Sequence, residues 1–381
     1  MNSNTISHKI AQIKSQGLFR QLSNSSGIDF ISNDYLGLSA HPGIIRRVRK
    51  AMKRGVPIGA TGSRLLGGNH IEHQRLEEAA EDFFSVPRAL FVSSGYLANL
   101  GLFSSLPSRR GAIVIDERVH ASIKEGVRAS LAKKYIAKHN DLQGFENAIK
   151  RARVEGAQDV WVAIESLYSM DGDFAPVDQL LEICKNNDAR LVVDEAHAVG
   201  VWGDFGRGLL NSAAVQAGVA MAIYPCGKAI GSQGAIITGA KEDIDCLINS
   251  ARPFIYSTAP SPIIAVGIRK SLKVIDSEPW RREALKLKSR EAAELIRNSR
   301  HGYRLGYSGS QILSLIVGSN QAASECARKL SDRGFRIKEV RPPTVPNGTA
   351  RLRISITVKL SSSSIKNFAN ALQEISVVNE H

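Results

Sequence analysis

The feature that most constrains the fold is a regular alternation of short apolar runs with helix-like segments, which begins at about residue 89. The apolar runs are ALFVSS, AIVIDE, DVWVAIES and RLVVDE, and segments such as GYLANLGLFSSL and VDQLLEICKNND lie between them. Strands that are connected through helices run parallel, and the helices cover both faces of their sheet. The sequence therefore predicts an α/β fold with a mostly parallel sheet.

The pattern changes towards the C-terminus. The apolar runs MAIYPCG and GAIITG are separated by only a short Gly-rich link, which allows one antiparallel strand in the sheet. After about residue 265 a charged helical stretch, RREALKLKSREAAELIRNSR, precedes ILSLIVG, ARLRISIT and a last helix, a pattern typical of a smaller α+β domain. We expect an N-terminal segment at 1–44, a large domain at 45–265 and a small domain at 266–381.

The net charge does not by itself select a ligand. Fifty Lys and Arg residues against 36 Asp and Glu residues give +14, which suits either nucleic acid or small ligands that carry phosphates and carboxylates. The densest basic run, residues 41–55, is expected to form an amphipathic helix with Pro42 in its first turn. This run contains no aromatic residue on which a base could stack, so we expect no nucleic-acid partner.

The cysteines and the hydropathy pattern bear on location. Cys184, Cys226, Cys246 and Cys326 lie far apart and form neither a CxxC pair nor a metal-ligand pattern with histidine. We therefore expect a reduced cytoplasmic protein without a metal site. No run of about 18 apolar residues occurs, and the N-terminus lacks an uninterrupted apolar signal core, so no membrane span is expected.

The run RLVVDEAHAVGVWG contains DEAH at 194–197, four letters that mark the ATPase strand of RNA helicases. Such an enzyme also needs a phosphate loop of the form GxxxxGK[ST]. Around the Gly-Lys pair that ends at Lys228, Ala222 replaces the first glycine and Ala229 replaces the hydroxyl residue. A helicase is therefore excluded, and the DEAH side chains either support a strand end locally or carry another chemistry.

Lys228 lies among small residues directly after an apolar run, in YPCGKAIGSQGA. A lysine in such a place can be desolvated, which lowers the pKa of its amine and suits a Schiff-base lysine. From these residues alone, an ordinary exposed loop lysine is the alternative.

A series of motifs in order resembles the α-oxoamine synthases, pyridoxal-phosphate enzymes of fold type I. The motifs are SSGYLAN, HAS, ESLYSMDGDFAP, DEAHAVGVWGDFGRG, GKAIGSQGA, IYSTAPSP and RPPTVPNGTARLRI. The resemblance extends from ISNDYLGLSAHP at 31 to the last strand. It implies a large domain with a mostly parallel sheet, a smaller C-terminal α+β domain, pyridoxal 5'-phosphate as cofactor, and a homodimer with active sites at the interface.

The resemblance also implies a reaction, the decarboxylative condensation of an amino acid with an acyl thioester. The segments PPTVPNGTARLR and NDYLGLS are most similar to the branch that joins L-alanine to a pimeloyl thioester, on CoA or on a carrier protein, in biotin biosynthesis. Use of glycine or serine with a different acyl-CoA is the first alternative. A non-catalytic basic binding protein on the same scaffold, suggested by the charge of +14, is the second.

The resemblance assigns the central roles to four residues. Lys228 would form the Schiff base with the cofactor and move the Cα proton of the amino acid. Asp194 would pair with the pyridine nitrogen, and His197 would contact the phenolic oxygen of the ring. His120 would stack on the ring face.

Further residues match family positions around these four. The cofactor phosphate is expected at the helix start formed by Ser94, Gly95 and Tyr96, and at Thr258 across a dimer interface. The remaining matches are Glu165 and Ser169 near the cofactor, and Arg20, Asn33, Arg64 and Arg353 as substrate contacts. A guanidinium suits the amino-acid carboxylate that Arg353 is expected to bind.

Pro225 departs from the family pattern. Relatives usually carry Ser or Thr three residues before the lysine, where the hydroxyl helps to hold the phosphate. Proline offers neither a hydroxyl nor an N–H group. Losing a hydrogen bond to a charged group would weaken cofactor binding by about 1.5–3 kcal/mol.

Overall fold

The computed structural model describes residues 3–16, 18–20, 22, 26–299 and 301–377. The helices are α1 (Ser3–Ser15), α2 (Pro42–Lys53), α3 (Ile71–Phe84), α4 (Gly95–Ser105), α5 (Ala121–Ala129), α6 (Leu142–Val154), α7 (Val177–Asn186), α8 (Ser212–Gln216), α9 (Lys241–Ser250), α10 (Arg252–Ile255), α11 (Pro262–Ser277), α12 (Trp280–Asn298), α13 (Asn320–Asp332) and α14 (Ser362–Val377). The strands are β1 (Ile28–Asp29), β2 (Arg88–Val92), β3 (Ala112–Asp116), β4 (Lys133–Ala137), β5 (Val160–Glu165), β6 (Arg190–Asp194), β7 (Ala220–Pro225), β8 (Ala235–Gly239), β9 (Arg304–Gly306), β10 (Ile312–Gly318), β11 (Phe335–Arg336), β12 (Glu339–Val340) and β13 (Ala350–Ser355).

The chain divides into two compact units. The larger comprises Asn33–Ser169 and Asp173–Leu285, and the smaller comprises Met1–Ser32, Met170–Gly172 and Lys286–His381. These limits differ from the boundaries expected at 44 and 265. Helix α11 belongs to the larger unit because it packs on α2 and α3, with Ile263 and Val266 against Ala51.

The larger unit is built on a seven-stranded sheet in the order β2-β8-β7-β6-β5-β3-β4. Strand β8, which carries GAIITG, pairs antiparallel with β2 and β7, and the other neighbours are parallel. The α/β fold and the antiparallel strand are thus confirmed. All residues of β3 and β5 are buried, as in a sheet whose two faces are covered.

Acidic residues end three of the parallel strands. Asp116 ends β3, Glu165 ends β5 and Asp194 ends β6, and Glu165 pairs in register with Asp194. The carboxyl ends of parallel strands share one edge of the sheet, which is where α/β proteins place their ligands. The sheet therefore gathers polar groups at a ligand-binding edge.

The smaller unit has its own core and sheet. Strands β12-β13-β10-β9 form an antiparallel sheet that packs against α13, and β1 pairs with β11. The ring of Phe368 on α14 stacks on Phe30 with centroids 4.2 Å apart and lies edge-on to Phe335 at 5.4 Å. The expected α+β character of the C-terminal region is confirmed.

The described part of the chain lacks two kinds of feature. No helix there combines the length and the apolar character needed to cross a bilayer. No three His, Cys, Asp or Glu side chains there are grouped so that they could hold a metal ion.

Candidate active site

A cavity of about 160 Å³ lies at the carboxyl edge of the larger sheet. It is lined by Gly95, Tyr96, Asn99, His120, Ser122, Glu165, Asp194, Ala196, His197, Pro225 and Lys228. The structure therefore brings to one place half of the fourteen site residues that the sequence singled out, including the lysine, the aspartate and both histidines.

Lys228 is half-buried in the tight link between β7 and β8. The amide of Gly231 donates to the Lys228 carbonyl at 2.8 Å, and the amide of Ser232 donates to Cys226 O at 2.8 Å. The amide of Cys226 in turn donates to Gly234 O at 2.9 Å. These bonds fix the backbone that carries the amine.

Asp194 is buried, with its carboxylate facing the cavity. Asn99 Nδ2 donates to its Oδ2 at 2.8 Å, and the Ala196 amide donates to its Oδ1 at 3.0 Å. An ionised carboxylate can accept about four hydrogen bonds. The two described donors fix its orientation and leave it able to accept a further donor from the cavity.

Asn99 connects Asp194 to His120. Its Nδ2 also donates to Ser122 Oγ at 3.0 Å, and that oxygen lies 2.7 Å from His120 Nδ1. The Ser122 amide donates to the same nitrogen at 3.2 Å. Burial lowers the pKa of His120, which favours a neutral ring that accepts at Nδ1 and carries its hydrogen on Nε2.

Asn99 was not predicted as a site residue, although its position in the sequence contains a signal. It lies four residues after Gly95 on α4, so both lie on one face of the helix. A helix whose first turn faces a ligand presents its next turn to the same side.

His197 is held by a short hydrogen-bond chain. Its Nδ1 lies 2.7 Å from the hydroxyl oxygen of Tyr35, and that hydroxyl donates to Asn33 Oδ1 at 2.9 Å. His197 and Tyr35 are both buried. Asn33, expected to contact substrate, thus lies next to the residue that orients His197, and Tyr35 itself was not predicted.

Glu165 is a buried carboxyl group with unused hydrogen-bonding capacity. Burial, followed by the negative charge of Asp194, raises its pKa to about 8. It accepts hydrogen bonds from the backbone amides of Ser169 and His120, while its Oε1 has no partner among the described residues. At neutral pH Glu165 is therefore mainly a neutral acid that can donate a hydrogen bond into the cavity.

The segment expected to bind phosphate forms the start of a helix, as its sequence suggests. Ser94 caps α4, its Oγ accepting from the Leu97 amide at 3.2 Å. A Cβ atom on Gly95 would lie 2.8 Å from Cγ of Pro225, so this close approach requires glycine. Amide groups at the start of a helix favour an anion, and Pro225 packs beside them without adding a hydroxyl.

Arg64 and Thr258 lie away from this cavity, along a smaller apolar one of about 20 Å³. Arg64 binds both carboxylate oxygens of Glu77, at 2.8 and 3.1 Å, and also donates to Asn69 and to the Phe91 carbonyl. Thr258 is exposed, and its carbonyl accepts from Ser93 Oγ at 3.3 Å. Their roles towards substrate and cofactor stay predictions.

Arg353 and Arg20 belong to the smaller unit. Arg353 lies on β13, and its Nη1 donates to Ser355 Oγ at 2.6 Å. Arg20 is exposed in the segment after α1. Their roles as substrate contacts also stay predictions.

The residues of the cavity fit a pyridoxal phosphate. An oriented buried carboxylate suits a protonated ring nitrogen, and the start of α4 suits a phosphate. Two buried polar atoms, Glu165 Oε1 and Asn99 Oδ1, have no partner among the described residues. Buried polar atoms are rarely left without a partner, so these two are available to a polar ligand.

Comparison with protein families and curated proteins gives consistent matches. The family model described as aminotransferase class I and II matches residues 25–372. An 8-amino-7-oxononanoate synthase of Methylococcus capsulatus is 39% identical over 355 residues, which cover 91% of this chain and 88% of that protein. Another, of Herminiimonas arsenicoxydans, is 37% identical and covers 97% of this chain and 98% of its own length.

Solved structures have the same fold. The serine palmitoyltransferase of Sphingomonas wittichii has a TM-score of 0.90 at 25% identity, covering 99% of this chain and 97% of that one. The 8-amino-7-oxononanoate synthase of Francisella tularensis has a TM-score of 0.78 at 27% identity, covering 93% of this chain and 99% of that one.

Proposed function

The chain belongs to the aminotransferase class I and II family and, within it, to the α-oxoamine synthases, and from this membership we propose that it makes 8-amino-7-oxononanoate. In this reaction L-alanine attacks a pimeloyl thioester, and thiol and carbon dioxide are lost. The product is an intermediate of biotin biosynthesis. The acyl group is carried either by CoA or by a carrier protein.

The observation that carries this proposal is the convergence of Lys228, Asp194, His120, His197 and Glu165 on one cavity. Their side chains come from different strands and loops, and together they supply an amine, an oriented carboxylate, two imidazoles and a neutral acid. A non-catalytic protein with the same fold would not be expected to retain all five side chains at one edge of the sheet.

The cofactor of this site is pyridoxal 5'-phosphate. When bound, it withdraws electrons from the Cα of the amino acid and so stabilises negative charge there. Asp194 would hold the ring nitrogen and His197 the phenolic oxygen, with His120 over the ring and Ser94–Tyr96 at the phosphate. Lys228 would carry the cofactor covalently.

Three side chains of the cavity would then contribute to the reaction in different ways. Once the amino acid has displaced it from the cofactor, the Lys228 amine would be free to take the proton from Cα of alanine and to return one to the product. Asp194, oriented by Asn99, would keep the ring nitrogen of the cofactor protonated and thereby favour the negative charge at Cα that the condensation needs. Neutral Glu165 donates a hydrogen bond at the cavity wall.

We further propose a homodimer with active sites at the interface. The exposed position of Thr258, away from the cavity of its own chain, suits a residue that reaches the phosphate of a partner. Light scattering at several concentrations tests the dimer, and cofactor loss from mixed dimers with Thr258→Ala on one chain tests the shared site.

A cytoplasmic location is also proposed. Cys184, Cys226, Cys246 and Cys326 are all free thiols, as expected in a reducing compartment.

The experiment that tests the function is a matrix of amino acids and acyl thioesters assayed for thiol release. We expect turnover with L-alanine and a pimeloyl thioester, and mass spectrometry should identify 8-amino-7-oxononanoate. Turnover only with glycine or serine and another acyl-CoA would assign a different α-oxoamine synthase activity. No turnover with any pair by a cofactor-loaded protein would contradict the proposal.

A further inference from the structure

Outside the cavity, one histidine lies between two carboxylates. His139 Nδ1 is 3.0 Å from Asp116 Oδ1, and His139 Nε2 is 2.7 Å from Asp173 Oδ2. None of the three residues lines the cavity. We call Asp116, His139 and Asp173 the His139 cluster.

The pairing of two strands brings these residues together. Strands β3 and β4 are parallel, with Asp116 opposite Ala137, so His139 follows β4 directly beside the end of β3. The next residue, Asn140, has a φ of 55° and donates its amide to Asp116 Oδ2 at 2.9 Å. Its Nδ2 donates to Asp173 Oδ2 at 3.1 Å, which ties the same corner to the third member.

Both ring nitrogens of His139 face acceptors, and only the protonated ring can donate from both. Burial alone would lower the pKa of His139, but the hydrogen bonds to Asp116 and Asp173 outweigh it and raise the pKa to about 9. The ring of Tyr168 lies edge-on to the imidazole, with centroids 4.4 Å apart. The described groups that face His139 are thus two carboxylates, the Asn140 amide and an aromatic ring.

Asp116 shapes the turn that leads to His120. Its Oδ1 accepts from the Arg118 amide at 2.7 Å, and its carbonyl accepts from the Val119 amide at 3.3 Å. His120 follows directly and caps α5 over the cavity.

Asp173 closes the base of the hairpin that follows Glu165. Its carbonyl accepts from the Tyr168 amide at 2.9 Å, and the bridge between Leu167 and Phe174 continues the pairing. Ser169, whose amide binds the Glu165 carboxyl, lies inside this hairpin. The His139 cluster therefore connects the two backbone segments that bring His120 and Glu165 to the cavity.

We propose that His139 is a positioning residue that holds the His120 turn and the Glu165–Ser169 hairpin together at the edge of the cavity. It touches neither the cavity nor a reacting group. Loss of its charge leaves the buried carboxylate of Asp116 and the partly exposed one of Asp173 without their common cation, and both segments loosen. The effect on turnover rests on the proposed function, whereas the effect on the two segments does not.

The test compares His139→Gln with His301→Gln, a buried histidine of the smaller unit, in the cofactor-loaded enzyme. In His139→Gln we expect faster amide hydrogen exchange in peptides that cover 116–120 and 166–175, and unchanged exchange in β6 and β7. Turnover at pH 7.5 should fall about tenfold, because a charge-assisted hydrogen bond fixes each segment, while the KM for the amino acid changes less than about twofold. His301→Gln should reproduce none of these changes.

A pH profile separates positioning from a loss of stability. Relative to the intrinsic amide rates, wild-type exchange at 116–120 and 166–175 should rise as the pH passes about 9, where His139 loses its proton, and His139→Gln should lack this rise. Unchanged exchange at 116–120 and 166–175 in His139→Gln, or a rise near pH 9 that persists in this variant, would overturn the proposal. Faster exchange in a protein without synthase activity would instead contradict the proposed function alone.

Asp173→Asn provides a second variant if His139→Gln does not fold. It removes only the carboxylate at Nε2 and leaves the bond to Asp116, so faster exchange confined to 166–175 is expected. Wild-type exchange in this variant would also overturn the proposal.

Discussion

Asp194 and Glu195 are adjacent, and both are buried, yet their carboxyl groups have different surroundings. Asp194 lines the cavity and accepts from one side chain and one amide. Glu195 does not line it, and accepts instead from Ser166 Oγ at 2.6 Å and from the amides of Leu209 and Leu210 at 2.9 and 2.7 Å. A Cβ atom on Gly208, which has a φ of 100°, would lie 2.7 Å from the Glu195 carboxyl carbon.

The Asp194 carboxylate has hydrogen-bonding capacity left for a ligand, whereas the described partners of the Glu195 carboxyl group all belong to the protein. Glu195 holds the loop after β6 onto the strand end, and this use occupies both of its oxygens. Asp194 keeps acceptor capacity on the side of the cavity. Two acids next to each other in DEAH therefore have unlike functions, and substitutions at and around them test that distinction.

The largest effect is expected for Asp194→Asn, which keeps the shape and removes the charge. Turnover should fall at least about 100-fold, because removing one member of a buried charge pair costs about 3–5 kcal/mol. Steady-state thiol release measures this effect, and Glu195→Gln is the matched control. Losses of similar size in both variants would show that the two acids are not distinct.

An intermediate effect is expected for Asn99→Ala. The substitution removes the donor shared by Asp194 and Ser122, so turnover should fall about tenfold, the cost of losing one hydrogen bond to a charged group. Asn147→Ala, an exposed asparagine on α6, is the control. Wild-type turnover in Asn99→Ala would mean that Asp194 does not need this support.

The smallest effect on turnover is expected for Glu195→Gln, within about threefold of wild type, because Gln keeps an acceptor for the loop amides. Its effect on stability should depend on pH. Burial raises the pKa of Glu195 from its ordinary value of 4.5 to about 7. The folded state therefore keeps a proton that the unfolded chain releases, and the free energy of unfolding falls as the pH rises across this range.

Glu195→Gln should remove the contribution of Glu195 to this slope, on the order of 1 kcal/mol per pH unit, while the raised pKa of Glu165 contributes to the slope in both proteins. Urea unfolding of the apoprotein at pH 5, 6 and 7 measures it. A wild-type slope in the variant would contradict the burial of a protonated Glu195.

The sequence predicted the strands and the main site residues better than it predicted the residues that hold them in place. The alternating runs predict β3, β5 and β6, and motif order points to Lys228 and Asp194, because strand ends and short motifs are local features. Asn99 and Tyr35 were missed since their importance depends on partners far along the chain, at Asp194 and His197.

Two other features of the structure differ from the expectation for the same reason, because they depend on partners far along the chain. The expected domain boundary at 265 preceded α11, whose apolar face packs on α2, more than 200 residues earlier. The sequence did not predict that Glu77 pairs with Arg64. Neither partner could be inferred from the local sequence of the residue that it contacts.

Borohydride reduction tests most directly whether Lys228 carries the cofactor beside Asp194. The purified protein is loaded with pyridoxal 5'-phosphate, reduced, digested and mapped by mass spectrometry, with Lys228→Ala treated in parallel. We expect a pyridoxyl group on Lys228 in close to stoichiometric amount, and none in the variant. An adduct on another lysine, or no adduct on the loaded wild-type protein, would contradict it.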